Sequence, residues 1–220
     1  EMLGDHGIYL KGPYFYEQAV HVPLIISWPQ RVETQRASAL VELTDLAQTV
    51  LDAAGLDHHP GMQGESLWPL LTGERPAHQH REDVYAECYN AMTCHDDPPG
   101  HLTMIRDDRH KLVVDHAHSA GELYDLDADP GEHDNLWDDP AVSDVKTDLL
   151  VRLSPPEINR VFFVNSGSEA VETAIKLARQ FWWAKGKQGK QLVISRYPSY
   201  HGATLGALAC TAYAPLNIPY

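Results

Sequence analysis

Ser154-Pro155-Pro156 divides this 220-residue chain. Proline cannot continue a helix and restrains the residue before it, so the pair ends whatever element reaches Leu153. The composition changes at the same place. Up to Leu153 there are 10 Lys and Arg against 28 Asp and Glu, a formal charge of −18; from Ser154 onward there are 7 against 3, or +4. Twelve of the 13 histidines precede the break, leaving only His201 after it. Such a shift at one point is what a domain boundary, or a splice of unrelated sequences, produces. Two parts are therefore expected, 1–153 and 154–220, and the hydrophobic content of 43% is ample for a packed core.

The acidity of residues 1–153 argues against a nucleic-acid partner, because neutralising phosphates takes clustered Lys and Arg. Cys88, Cys94 and Cys210 are an odd number without metal-like spacing, and read as free thiols of a reducing, cytoplasmic compartment. No apolar run approaches membrane-spanning length and no signal peptide is seen, although the chain begins at Glu1 without an initiator Met.

Along the first part, Val22–Trp28 is an apolar run closed by Pro29, the pattern of a buried strand. Thr44 can cap a helix to Ala54, with Leu46, Ala47, Val50, Leu51 and Ala54 on one face and Gly55 as its left-handed stop. Leu102–Arg106, Lys111–Asp115 and Glu122–Leu126 read as an antiparallel meander, turning at 107–110 and again at 129–131. A short helix is expected over Ala141–Leu153. In the second part, a strand at Val161–Val164, a helix over Ser168–Lys185 stopped by Gly186, a strand at Gln191–Ser195 and a helix from Gly202 follow one another. Strand, helix, strand, helix is the βαβ pattern of a parallel sheet. Val171, Ala174, Ile175, Ala178 and Trp182 mark the apolar face of the longer helix.

Glu1-Met-Leu-Gly-Asp-His-Gly-Ile-Tyr-Leu-Lys-Gly-Pro-Tyr-Phe-Tyr-Glu, then His21-Val-Pro-Leu-Ile-Ile-Ser-Trp-Pro, Met62-Gln-Gly-Glu-Ser-Leu, Met104-Ile-Arg-Asp-Asp-Arg-His-Lys-Leu-Val-Val and Gly121-Glu-Leu-Tyr-Asp-Leu-Asp-Ala-Asp-Pro-Gly-Glu together resemble the sulfatase family of the alkaline-phosphatase superfamily. The resemblance spans residues 1–153 in the family's order and spacing. It implies sulfate-ester hydrolysis with Lys11 contacting the sulfate, where a compact ammonium offsets charge on the transferring oxygens, and His6 near the same pocket. It also implies Ca²⁺ or a similar divalent metal. Asp5-His6-Gly7 looks like the family's metal triplet, but in relatives that triplet precedes the Glu-Met-Leu-Gly stretch, which places the ligands upstream of Glu1. The formylglycine nucleophile arises from Cys or Ser in Cys/Ser-x-Pro-x-Arg. Only Ser27-Trp-Pro-Gln-Arg31 fits that pattern, and it follows the lysine motif where the nucleophile should precede it, so the match is read as chance. His58-His59, His78-x-His80 and His116-x-His118 read as solvated surface.

Asn165-Ser166-Gly167-Ser168 lies between an expected strand and a helix N-terminus, where unpaired N–H groups and the helix dipole favour an anion and Gly167 lets it approach closely. With the Val171–Arg179 helix and Ile194-Ser-Arg-Tyr-Pro-Ser-Tyr-His-Gly-Ala-Thr-Leu-Gly-Ala, it resembles the class III, pyridoxal-phosphate-dependent aminotransferases. The resemblance implies that Ser166, Gly167 and Ser168 bind the cofactor phosphate and that Tyr200 stacks on its ring, with His201 beside it. The Schiff-base lysine, the aspartate for the pyridine nitrogen and the substrate arginine come later in that family. None of Lys176, Lys185, Lys187 or Lys190 matches the lysine.

The resemblances imply an α/β chain: part of a sulfatase α/β core with an α+β C-terminal subdomain, then an incomplete βαβ piece of a fold-type I aminotransferase large domain. The expected substrates are small molecules, a sulfate ester and an amino donor, and missing segments of each parent domain are the expected partners. As it stands the chain is expected to complete neither reaction.

Overall fold

The computed structural model describes residues 2–10, 12–32, 34–89, 101–118, 120–158, 160–162, 164 and 166–212. It divides into two compact units, Glu1–Asn159 and Arg160–Tyr220.

The centre of the first unit is a four-stranded antiparallel sheet in chain order: β1 (Val84–Tyr89), β2 (His101–Arg106), β3 (His110–Asp115) and β4 (Ala120–Asp125). The last three strands and the 107–110 turn are where alternation in the sequence puts them. β1 was not anticipated. Register sets what each face holds, since neighbouring residues of a strand point to opposite sides. Ile105 pairs with Leu112 and Leu112 with Leu123, so all three share one face. There they meet Leu149 of helix α4 (Ser143–Arg152), with Leu136, Trp137, Val142 and Val145 around them. Leu112, Leu123 and Leu149 are fully buried, which stabilises by roughly 1.5–3 kcal/mol each. Met104 and Val113, on the opposite face, pack with Phe15 and Val20 from the segment that runs into helix α1 (Glu17–Val20). Lys111, Glu122 and Tyr124 alternate onto this same face, giving it a polar half.

Helix α2 (Asp45–Ala54) has the expected bounds and its left-handed Gly55 end, at φ 69°. Two expectations fail there. Thr44 is helical and makes no capping bond; its hydroxyl donates to Glu42, while the Asp45 carboxylate accepts the backbone N–H of Glu42 at 2.8 Å and of Glu65 at 2.8 Å. The inward face is also polar: Asp45, Gln48 and Thr49 are buried, whereas Val50 is 66% exposed. The reason is a charge network. Asp45 pairs with Arg81 and lies 3.3 Å from Nε2 of His80, whose side chain is fully buried. His80 is therefore a core residue, not the surface histidine its spacing suggested. Arg75 approaches its Nδ1 at 3.1 Å and Arg81 also meets Glu42. Buried charges require partners of this kind. Helix α3 (Trp68–Leu71) completes the region, placing Leu67 and Leu70 inside.

Val22–Trp28 forms no strand, and Ile25 is 89% exposed. Its apolar residues suit a central strand, but a strand needs a neighbouring ladder, and none of the described residues supplies one.

The second unit contains helix α5 (Gly167–Ala184) and helix α6 (Leu205–Cys210). Ser166 caps α5 by accepting the Glu169 N–H at 3.2 Å, and Gly186, at φ 71°, follows its end. No residue of α5 is buried. Val171, Ile175 and Trp182 of the expected apolar face are only half-covered, and Ala174 and Ala178 are exposed. Residues 161, 162, 164 and 191–195 carry no strand, and Leu192 and Ile194 are each 96% exposed. The βαβ pattern is present as sequence, but parallel strands hydrogen-bond only to neighbours, which the described residues lack.

Candidate functional site

In the first unit the clearest concentration of chemistry is on the polar half of the sheet face. Lys111 is 0% exposed. Its Nζ donates to the Phe15 carbonyl at 2.9 Å and to Glu132 Oε1 at 2.7 Å, and lies 2.5 Å from Glu17 Oε1. The other oxygen of Glu132 accepts the Glu17 backbone N–H at 2.7 Å, at the start of α1. Burial alone would raise the Glu17 carboxyl; the bond and charge of Lys111, aided by Arg106, hold it below its ordinary value instead. Glu132 sits at φ 58°, an unfavourable angle for a side-chain-bearing residue, which its ion pair with Lys111 and the hydrogen bond from the Glu17 N–H offset.

His6 borders this cluster. It occupies a 3₁₀ turn, Asp5–Gly7, and lies flat on the Tyr16 ring at 3.8 Å with 7° between planes; His133 tilts towards it at 5.0 Å. Its Nε2 is buried and finds no hydrogen-bond partner among the described residues. Glu122 and Tyr124 complete the surroundings. Burial, and then the charge of Glu132, pushes the Glu122 carboxyl up; burial and Glu122 push Tyr124 up. His6 was a sequence candidate, and the structure adds Tyr16, Lys111, Glu122, Tyr124 and Glu132. The readable signal for Lys111 was a lysine directly before Leu112-Val113-Val114, where alternation demands an inward side chain. Lys11 lies outside the described residues. Among the described residues no group of three or more His, Cys, Asp or Glu is arranged to hold a metal ion.

In the second unit the structure brings Ser168 against the loop after Tyr200. Ser168 Oγ accepts the Ala203 N–H at 3.0 Å, and a Cβ on Gly202 would lie 2.6 Å from that oxygen. Glu172, one turn on, accepts the Gly206 N–H at 2.6 Å, the main cause of its lowered pKa. His201 N–H donates to Thr211 Oγ1 at 3.0 Å, and Tyr200 is 62% exposed. Gly167 opens on free space, with nothing within 4 Å of a Cβ placed there. The first N–H groups of an 18-residue helix have no intrahelical partner and carry its positive end, so this turn can accept an anion. An open hollow of about 600 Å³ lies along α5 between Phe162, Glu169, Glu172, Lys176 and Leu205; Ser166, Gly167, Ser168, Tyr200 and His201 are not among the residues lining it.

The first unit's antiparallel sheet and the helices packed on it can be set beside known proteins. The chain belongs to the family of the C-terminal part of N-sulphoglucosamine sulphohydrolase, whose model matches residues 4–158. The class-III aminotransferase model matches residues 139–217, overlapping it from 139 to 158. A sulfatase structure from Bacteroides thetaiotaomicron shares the fold at a TM-score of 0.58 and 23% identity, over 90% of this chain and 37% of that one. An aminotransferase of Mycobacterium tuberculosis is 52% identical over 71 residues, 32% of this chain and 15% of the relative. One of Bacillus subtilis is 51% identical over 65 residues, 30% of this chain and again 15% of the relative. The chain is thus a composite: a sulfatase-like region over most of its length and an aminotransferase-like segment after it. It spans about a third of the solved sulfatase and about a seventh of these aminotransferases. No described helix is long and apolar enough to cross a membrane.

Proposed function

We propose that residues 1–153 descend from a sulfuric-ester hydrolase and residues 154–220 from a pyridoxal-phosphate-dependent aminotransferase, and that these 220 residues by themselves complete neither reaction. The observation that carries this reading is that two unrelated families match one chain, each over a small share of its relatives' length. In the first part Lys11, through its compact ammonium, and His6 are the sulfate contacts of this reading. The substrate is a small sulfate ester. Within residues 1–153 the pattern Cys/Ser-x-Pro-x-Arg occurs at Ser27–Arg31, after the lysine motif rather than before it.

In the second part the reading for the Ser166–Ser168 turn, as the holder of the phosphate end of pyridoxal phosphate, is supported by an open glycine at a helix N-terminus, flanked by Ser166, which caps Glu169, and Ser168, which accepts the Ala203 N–H. Tyr200 is the ring platform and His201 its neighbour. When bound, that cofactor stabilises negative charge on an amino-acid carbon. The lysines at 176, 185, 187 and 190 do not occupy the family's anchoring position, so binding through the phosphate would be non-covalent.

Two assays on the intact chain test the reading. Turnover of a chromogenic aryl sulfate should be absent, and mass spectrometry should find unmodified Ser27; formylglycine at Ser27 with turnover would overthrow the inactive assignment. Pyridoxal phosphate should slow proteolysis across residues 166–201, and no protection at millimolar cofactor would remove the second half of the proposal.

A further inference from the structure

The residues gripped by the Lys111 cluster are consecutive. Phe15 offers its carbonyl to Lys111, Glu17 offers its N–H to Glu132, and Tyr16 stands between them with His6 flat on its ring. We propose that Lys111 and Glu132 are positioning residues for His6: by fixing the backbone of residues 15–17 from both sides they set the plane of the Tyr16 ring against which His6 is held. The clamp works across 96 residues of sequence in one contact and 115 in the other. The role of His6 towards sulfate rests on the function proposed above, whereas the clamp does not.

Three features support the assignment. The Phe15 side chain is packed with Met104 and Val113, so the carbonyl that Lys111 grips belongs to a residue already anchored in the core. No described residue bonds to Nε2 of His6, so its ring orientation depends on the stack with Tyr16 and the tilted contact with His133. His133 directly follows Glu132, which ties the second contact to the same clamp. A buried lysine with two carboxylates is a costly way to gain stability, and its best-attested use is to specify one arrangement.

The test is NMR of the His6 imidazole in the intact 220-residue chain, assigned by loss of the signal in His6→Gln. Stacking on Tyr16 should displace its ring protons upfield of those of the exposed His21. Glu132→Gln, which keeps shape, and Lys111→Met are each expected to move the signal back towards the exposed position. The methyl signals of Leu112, Leu123 and Leu149 should stay dispersed, and Lys111→Arg should retain part of the upfield displacement. A His6 signal that stays upfield in either folded variant would overturn the proposal. So would loss of methyl dispersion in both, since the pair would then hold the whole fold rather than the loop. Adding inorganic sulfate to the wild type separates the two layers: a shift of the His6 signal supports the sulfate role, and no shift removes that role while the variant comparison still decides the clamp.

Discussion

The Trp137 indole lies against Gly121 so closely that a Cβ on the glycine would come within 2.3 Å of ring atoms Cε3 and Cζ3. Asn135 fixes both partners, accepting the Leu123 and Trp137 N–H groups while donating to the Gly121 carbonyl at 3.1 Å. The ring cannot retreat without losing its place beside the Leu112–Leu123–Leu149 core. Gly121→Ala should therefore cost about 1–3 kcal/mol, the usual penalty of overpacking, read as a lower urea midpoint. An unchanged midpoint would mean that the indole swings aside freely.

Leu123 and Val50 should respond oppositely to truncation. Leu123 is enclosed by Leu112 and Leu149, so Leu123→Ala is expected to cost about 2–5 kcal/mol. Val50 lies on the outward apolar face of α2, and Val50→Ala should fall within about 0.5 kcal/mol of wild type. Equal losses in thermal unfolding would show that something covers that face in solution.

Arg109 grips Asp125 with two bonds, 3.1 and 2.6 Å, and that guanidinium is the first reason the Asp125 carboxyl falls to about 2. A depressed carboxyl contributes stability above its ordinary value of 3.8 and loses it as pH falls from there through about 2. The pair is exposed, so its worth at neutral pH is small and salt-sensitive. Arg109→Ala should return the Asp125 titration towards 3.8 in carboxyl NMR, and no movement would assign the depression to the 127 and 128 backbone N–H groups instead.

Ser166→Ala should loosen the start of α5. The hydroxyl supplies one acceptor to the first turn, and such caps are worth about 1 kcal/mol. Faster amide exchange at Glu169 and Ala170 in the alanine variant, restored in Ser166→Asp, is the expected result; unchanged exchange would show that this cap holds nothing.

What the sequence disclosed follows the range of the interactions involved. The meander from 102 to 126 was readable because alternation and turn residues are local. The C-terminal ends of α2 and α5 were readable because Gly55 and Gly186 act on their own backbone. β1 was missed because Val84–Tyr89 becomes a strand only by pairing with β2, which begins at His101. The inward polar face of α2 was misjudged because its orientation is decided by His80 and Arg81, some 35 residues from Asp45. Val22–Trp28 misled for a related reason: apolar content says that a strand could be buried, not that a partner is present. In the site, the resemblance led to His6, but the residues around it come together from positions 16, 111, 122, 124 and 132. Only folding makes that set visible.

Glu122 offers the sharpest pH test. It faces Tyr124, Glu132, His6, Lys111 and Tyr16 on the polar half of the sheet, and burial and the Glu132 charge raise its carboxyl despite the Tyr124 hydrogen bond and the nearby Lys111. A raised carboxyl binds its proton more tightly folded than unfolded, so stability falls as pH climbs from the ordinary 4.5 through the higher folded value. Above that window the full cost of ionising a half-buried group is present. Glu122→Gln keeps the shape and removes the charge. The variant should therefore unfold at a higher urea concentration than wild type at pH 7, and the advantage should vanish at pH 4, where the wild-type carboxyl is already protonated. A variant no more stable at pH 7 would mean that His6 and Lys111 together compensate the ionised carboxylate, and that the polar face is poised for charge rather than burdened by it.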